Sequence, residues 1–133
     1  MGGGEASEPE RVARELIAAF GANDLDALRA VLADDFVGHI TTADAGTRHV
    51  GADEYVAGVA AMDVATADLR LDVPDVTAID GDTVLVMVEV HAARRQRSLH
   101  NFSGQLLRVR AGKVVSLWMV DAKPAESDSF WSA

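Results

Sequence analysis

The first third of the chain alternates apolar and polar residues with the period of an α-helix. Residues 8–21 place apolar side chains every three or four positions, namely Val12, Leu16, Ile17 and Phe20. Residues 24–33 repeat the pattern with Leu25, Leu28 and Leu32, behind Asn23 or Asp24 as the capping residue. The two segments predict a helical hairpin.

A third helix is predicted over residues 52–65, because two acids open the segment and an apolar face follows, formed by Ala52, Tyr55, Val56 and Val59. A short strand at residues 36–41 and a loop at 43–46 precede it. The later chain has the alternating, β-branched character of strands, separated by the turns "DGD" and "AGK". This order predicts an α+β domain in which a mainly antiparallel sheet curls over three helices.

Length and charge narrow the classes of protein. The 133 residues fit one domain, which we place at residues 8–133, with residues 1–7 as a disordered arm. The net charge of −9 at pH 7 disfavours nucleic acid as a partner. The chain has no cysteine, so disulfides and thiolate chemistry are excluded, and no apolar run is long enough to cross a membrane. We expect a cytoplasmic protein without a membrane or nucleic-acid partner.

Four motifs carry a resemblance to a known superfamily. These are "AAFGANDLDALRAVLADDF", "GADEYVAGV", "IDGDTVLVMVEV" and "LLRVRAGKVVSLWMVD". In this order they resemble the nuclear-transport-factor-2-like superfamily, and most nearly its SnoaL-like polyketide cyclases and ketosteroid-isomerase-like proteins. The resemblance implies a cystatin-like cone, with helices on the concave face of a strongly curved sheet and an apolar pocket between them. Such proteins include isomerases, cyclases, dehydratases, epoxide hydrolases and non-catalytic binders, so the fold alone does not select an activity.

The ketosteroid isomerase branch makes a specific demand on three positions. Its chemistry needs a carboxylate base, and a tyrosine and a protonated aspartic acid that bind the enolate oxygen. The resemblance aligns Leu16 with the tyrosine, Ile40 with the base and Gln105 with the protonated aspartic acid. None of the three has the required side chain. Authentic steroid isomerisation is therefore not expected.

Strand alternation predicts which side chains face the pocket. If Gln105 faces inward as its counterpart in the family does, the same face of the later strands follows from it. The predicted ligand-binding residues are Gln105, Asn101, Tyr55, Met119, Leu117 and Val88. Ser103 shares this face, and Tyr55 lies either at the mouth of the pocket or in the helix core. The pocket is thus expected to be mostly apolar with a few polar groups.

Asp121 and His39 are the predicted catalytic residues. Asp121 ends an apolar strand, where burial would make its carboxylate a better proton acceptor, although it could also simply end the strand before a solvated loop. For His39, the resemblance of "DDFVGH" to a cyclase motif predicts a side chain in the cavity, whereas alternation in the isomerase alignment points it outward. Gln105 and Asn101 would donate hydrogen bonds to a developing oxyanion.

The opposite face of the strands carries two more histidines, His91 and His100. Their neighbours on that face are half apolar, which predicts a homodimer formed through the convex side of the sheet. We expect no metal site from His39, His91 and His100, because alternation separates them, and no cofactor.

Three classes of function remain open. The first is a cofactor-free acid–base enzyme acting on a small apolar or carbonyl-containing molecule. The second is a protein that binds such a ligand without converting it. The third is a dimeric interaction module with a vestigial cavity.

Overall fold

A computed structural model describes residues 7–132 of the chain. Within them the helices are α1 (Glu8–Gly21), α2 (Leu25–Val31), α3 (Ala52–Met62) and α4 (Pro124–Ser132), with a short 3₁₀ turn at Val64–Thr66. The strands are β1 (Leu32–Thr41), β2 (Thr47–Val50), β3 (Arg70–Ala78), β4 (Thr83–Arg94), β5 (Arg97–Arg110) and β6 (Lys113–Asp121). The predicted α+β class is confirmed. None of the helices in this range is long and apolar enough to span a bilayer.

The strands form one mixed sheet in the order β2-β1-β6-β5-β4-β3. Neighbouring strands are antiparallel, except that β1 runs parallel to β6. The β4–β5 hairpin is the longest ladder, and it keeps one register from the pair Thr83 and Arg108 to the pair Arg94 and Arg97. This sheet is the mainly antiparallel sheet that the strand pattern predicted.

The sheet has an apolar inner face and a partly exposed outer face. The inner face packs against α1 and is formed mainly by buried branched residues, among them Val84, Val86, Val88, Leu107 and Leu117. The outer face points away from the helices and carries exposed apolar side chains, namely Val37, Phe102, Leu106, Trp118 and Val120. The core therefore lies between the helices and one side of the sheet.

Local sequence signals set the helix boundaries. Ser7 caps α1, because its Oγ accepts a hydrogen bond from the Glu10 amide at 3.4 Å, so Ser7 belongs to the helix and not to the predicted arm. The rest of that arm lies outside the described residues. Asp24 caps α2 through the Ala27 amide at 3.1 Å, and Asn23 adopts a left-handed φ of 54° between the two helices. The third helix ends at Met62, three residues earlier than predicted, where Asp63 turns left-handed.

Two elements were missed by the sequence analysis. Strand β2 pairs antiparallel with the end of β1 across the predicted loop at 43–46. Helix α4 occupies the segment after Asp121, for which the alternative interpretation of Asp121 predicts a solvated loop. A proline at its start and an acid in its first turn, Pro124 and Glu126, were the available signals.

Helix α4 closes one end of the domain. Phe130 is buried against Ala92 and Leu99 of the β4–β5 hairpin. The Arg94 guanidinium lies over the Phe130 ring at 5.6 Å and donates hydrogen bonds to the Trp131 carbonyl at 3.2 Å and the Met62 carbonyl at 2.9 Å. One arginine thus connects the ends of α3 and α4.

The assignment of inner and outer faces can be tested at two neighbouring leucines of β5. Leu107 is fully buried, whereas Leu106 is 38% exposed on the outer face. We expect Leu107→Ala to lower the free energy of unfolding by about 3 to 5 kcal/mol, because it leaves a cavity in the core. The matched Leu106→Ala should cost roughly 1 kcal/mol or less. Urea denaturation measures both, and equal losses would contradict the assignment.

Candidate functional site

A cavity of about 390 Å³ lies between the inner face of the sheet and helices α1, α3 and α4. Its apolar walls include Leu16, Ile17, Phe20, Ile40, Val59, Met62, Val88 and Met119. Its polar residues come mainly from β5, β6 and α4, and they include Asn101, Ser103, Gln105, Asp121 and Ser127. This size and this distribution are those of sites for small molecules.

Asp121 is held in one orientation at the polar end of the cavity. Its Oδ1 accepts hydrogen bonds from Asn101 Nδ2 at 2.6 Å and from the Lys123 backbone amide at 2.8 Å. No hydrogen bond among residues 7–132 uses its other oxygen, Oδ2. Asp121 lines the cavity, so this carboxylate has one oxygen fixed by the protein and one available to an occupant.

Asn101 acts on Asp121 and not on the cavity contents. Its side chain is buried, and its Nδ2 donates to Ser127 Oγ at 2.7 Å as well as to Asp121. Its Oδ1 accepts a hydrogen bond from the Phe102 amide at 2.8 Å. The amide is therefore fully used within the protein. It does not fit the predicted role of a free oxyanion donor, and it is better described as a positioning residue for Asp121.

A second support for Asp121 comes from the neighbouring strand β1. Thr41 Oγ1 donates a hydrogen bond to the Met119 carbonyl at 2.8 Å and accepts one from the Asp121 amide at 3.2 Å. The threonine hydroxyl thus fixes the end of β6 where the parallel β1–β6 ladder stops. The sequence analysis assigned no role to Thr41 or Ser127, because their contacts join segments far apart in the chain.

Gln105 and Tyr55 provide free hydrogen-bonding groups in the cavity. Gln105 Oε1 is buried without a hydrogen-bond partner. Gln105 Nε2 retains some solvent exposure and forms no hydrogen bond among the described residues. An unsatisfied buried carbonyl of this kind costs about 1 to 3 kcal/mol. Burial raises the pKa of Tyr55 to about 12, so its hydroxyl stays protonated and can donate. Ser103 lies directly opposite Asp121 and also lines the cavity.

His39 lies on the outer face, so the position in the cavity that the cyclase motif predicts is wrong, and His39 does not act beside Asp121 as a catalytic residue. Its ring stacks on Trp118 with centroids 3.7 Å apart, and its edge contacts His49 at 4.8 Å. Ile40 lines the cavity instead, and a Cβ at Gly38 would meet Phe36 at 3.1 Å on the inner side. Simple alternation along β1, as in the isomerase alignment, therefore describes the strand.

The other predicted site residues fall into two groups, those that line the cavity and one that lies in the core. Those that line the cavity are Asp121, Gln105, Asn101, Tyr55, Met119 and Val88. Leu117 has the predicted orientation but is fully buried in the core, outside the cavity. Three charged residues of the cavity wall were not predicted as site residues, namely Arg48 on the missed strand β2, Glu54 in the first turn of α3 and Asp128 on the missed helix α4.

Comparison with known proteins agrees with this architecture. A family model for the SnoaL-like domain matches residues 13–117. IdmH of Streptomyces antibioticus, a candidate polyketide cyclase, is 23% identical with a TM-score of 0.73, over 86% of this chain and 91% of IdmH. An NTF2-like protein of unknown function from Burkholderia pseudomallei is 24% identical with a TM-score of 0.76, over 96% and 100% of the two chains.

A protein of unknown function from Xanthomonas campestris, described as having a cystatin-like fold, is 21% identical with a TM-score of 0.74, over 95% of this chain and 98% of its own. No curated protein matches. The fold is thus that of the nuclear-transport-factor-2-like proteins, as the sequence motifs predicted. The chain belongs to the SnoaL-like domain family.

The environment of His39 predicts a loss of stability in mild acid. Burial, and to a smaller extent the neighbouring His49, lower the pKa of His39 below its ordinary value. The unfolded chain therefore takes up a proton near pH about 6.5 that the folded chain accepts only at lower pH. The contribution of His39 to the free energy of unfolding is fully present above pH about 6.5, and it is lost as the pH falls from there through the lower pKa of the folded state.

We expect the melting temperature of the protein, measured with EDTA present, to fall between about pH 7.5 and about pH 5.5 by more than that of the His39→Gln variant. Other titrating groups affect both proteins alike. An identical decrease in the two would contradict the lowered pKa.

Proposed function

We propose that the protein binds a small, largely apolar molecule with a carbonyl group, and that Asp121 removes a proton from the carbon next to that group. The orientation of Asp121 carries this proposal. A carboxylate held by one oxygen, with the other free at the end of an apolar cavity, is the arrangement that a general base requires.

The groups opposite the base suit the charge that proton removal creates. Loss of the proton moves negative charge onto the carbonyl oxygen, which neutral donors can stabilise without ionising. Gln105 is the diagonal neighbour of Asp121 across the β5–β6 ladder, and such neighbours lie about 7 to 8 Å apart. This separation leaves room for one carbonyl and its adjacent carbon. Gln105 Nε2 and the Tyr55 hydroxyl are the donors that we assign to the oxygen.

The return of the proton completes the reaction. The protonated Asp121 delivers it to the same carbon, which gives exchange, or to another carbon of the enolate, which gives isomerisation. Ring closure would follow instead if the enolate carbon attacked a second carbonyl of the same molecule, whose oxygen would then take the proton from Asp121. The likeness to IdmH supports this chemistry, because a polyketide contains several carbonyl groups. The apolar Leu16 and Ile40 line the same cavity, where a ketosteroid isomerase has its tyrosine and its base.

Exchange of the protons next to a ketone tests the proposal without knowledge of the natural substrate. The probe is 2-tetralone, an apolar ketone with acidic protons, followed by NMR in D₂O. We expect the protein to accelerate exchange, and Asp121→Asn to reduce the acceleration by about 10² to 10⁴. Gln105→Leu should reduce it by about 10² to 10³, because one oxyanion donor is lost.

Glu126→Gln is the matched control, because Glu126 is an exposed carboxylate of α4 that does not border the cavity. It should leave the rate unchanged. Equal rates for the wild-type protein and Asp121→Asn would refute the assignment of the base. Binding of the ketone without any exchange would support the non-catalytic ligand-binding function instead.

We also propose that the protein forms a homodimer through the outer face. Exposed apolar side chains are concentrated there, and Trp118, which is 49% exposed, lies between Leu106 and His39 on neighbouring strands. Apolar surface of this kind is typical of contacts between protein subunits.

Light scattering should give about twice the chain mass of 14.1 kDa. We expect Trp118→Lys to give the mass of a monomer, because it places a charge in the contact. Ile79→Lys is the control, since Ile79 is equally exposed but lies in the β3–β4 turn. A monomeric wild-type protein, or a dimer unaffected by Trp118→Lys, would contradict this proposal.

A further inference from the structure

Two histidines and two carboxylates meet on the outer face, on three adjacent strands. His91 on β4 lies directly opposite His100 on β5. Glu89 lies two residues before His91 on the same strand, and Asp72 on β3 pairs directly with Glu89. Because residues two apart on a strand share a face, all four side chains project to the same side of the sheet. We refer to these four residues as the outer histidine cluster.

The reason for which we excluded a metal site does not hold in the structure. Strand alternation was expected to separate His39 from the other histidines, whereas all three lie on the outer face. His39 is instead distant along the sheet. His39 neighbours Trp118 on β6, and Trp118 pairs with Leu106 on β5. His100 lies six residues before Leu106 on β5, which corresponds to about 20 Å at the usual rise per residue.

The potential ligand atoms of the outer histidine cluster lie close together. Glu89 Oε2 lies 2.6 Å from His100 Nε2 and 3.2 Å from His91 Nε2, and the ligand atoms of these three residues all lie within 4.8 Å of one another. His91 Nε2 lies 3.7 Å from Asp72 Oδ2. Ligand atoms bonded tetrahedrally to Zn²⁺ are about 3.3 Å from one another, so side-chain shifts of about 1 Å would bring Glu89, His91 and His100 around one ion.

The imidazole rings are already arranged for such a site. The His91 and His100 rings are stacked, with centroids 4.7 Å apart and planes within 13° of parallel, and both present Nε2 to the same Glu89 oxygen. A carboxylate oxygen can accept a hydrogen bond from an N–H group of each imidazole ring. A divalent cation bound between the three groups would take the place of those hydrogens.

We propose that Glu89, His91 and His100 form a Zn²⁺ site, with Asp72 or water as the fourth ligand. Besides its 3.7 Å contact with His91, Asp72 forms an exposed ion pair with Arg70 at 3.3 Å, an interaction that is weak in water. Two imidazoles and a carboxylate are ligands that suit Zn²⁺ better than Mg²⁺ or Ca²⁺. The bound ion would join β4 to β5, and also β3 where Asp72 coordinates.

The site lies directly behind the polar end of the cavity. Val90, between Glu89 and His91, lines the cavity, and so does Asn101, next to His100. The metal would therefore bind the outer side of the same strand segment that positions Asp121 on the inner side. This proposal does not depend on the proposed reaction, because it rests on the face of the sheet opposite the cavity.

Titration of the EDTA-treated, dialysed protein with ZnCl₂ tests the proposal. We expect calorimetry to give one equivalent per chain, and the melting temperature to rise on the order of 10 °C at a hundredfold excess over Kd. The affinity should fall as the pH is lowered, since protons compete for the histidines. Co²⁺ should bind with the intense visible absorption of a tetrahedral site with nitrogen and oxygen ligands.

Variants distinguish this site from the protein's other histidines. His100→Gln should abolish the rise in melting temperature and the Co²⁺ absorption, and its exposed side chain makes loss of the fold unexpected. Glu89→Gln is the second variant and should weaken binding at least tenfold. His49→Gln is the matched control. The His49 ring lies 4.8 Å from the His39 ring on the outer face, close to the 4.7 Å between the His91 and His100 rings, but His49 is outside the outer histidine cluster. No effect of Zn²⁺ on the wild-type protein, or an effect that survives in His100→Gln, would overturn the proposal.

Discussion

The unbroken register of the β4–β5 hairpin is the constraint on which the rest of the structure depends. Twelve consecutive residues of β4 pair with β5 without a bulge. The alternation of side chains is therefore preserved over the full length of this hairpin. A slip of one residue would carry Val88 to the outer face and Glu89 into the core. The apolar inner residues select the register through their burial, and this selection also fixes that Asn101, Ser103 and Gln105 of β5 project into the cavity.

The sequence was sufficient for those parts of the site that follow from strand alternation once one residue is oriented. The family resemblance oriented Gln105, and alternation then predicted that Asn101 and Asp121 face the cavity, which all three line. His39 was ambiguous because the cyclase motif and the isomerase alignment predicted opposite orientations. The buried residues of β1, Leu32, Phe36 and Gly38, share one parity, and this parity places His39 on the outer face.

The roles of the polar groups were less predictable than their positions. Asn101 faces inward as expected, yet both hydrogens of its amide group are donated within the protein, to Asp121 and to Ser127. Ser127 lies on α4, twenty-six residues further along the chain. A hydrogen bond between distant segments leaves no periodic signal in the sequence. The same limit applies to Thr41, which reaches the end of β6 from across the parallel pair. Strand β2 and helix α4 were missed because they are short, and tertiary packing stabilises them more than their own propensity does.

Helix α4 contributes one wall of the cavity without belonging to the main core. The main core is formed by α1, α2, α3 and the sheet, whereas α4 packs in a separate small cluster around Phe130 and is joined to α3 through Arg94. Substitutions along the exposed turns of α4 can therefore change one wall of the cavity while the main core stays intact. Related chains could diverge in what they bind through this last helix, and an engineer could vary ligand preference there with little effect on folding.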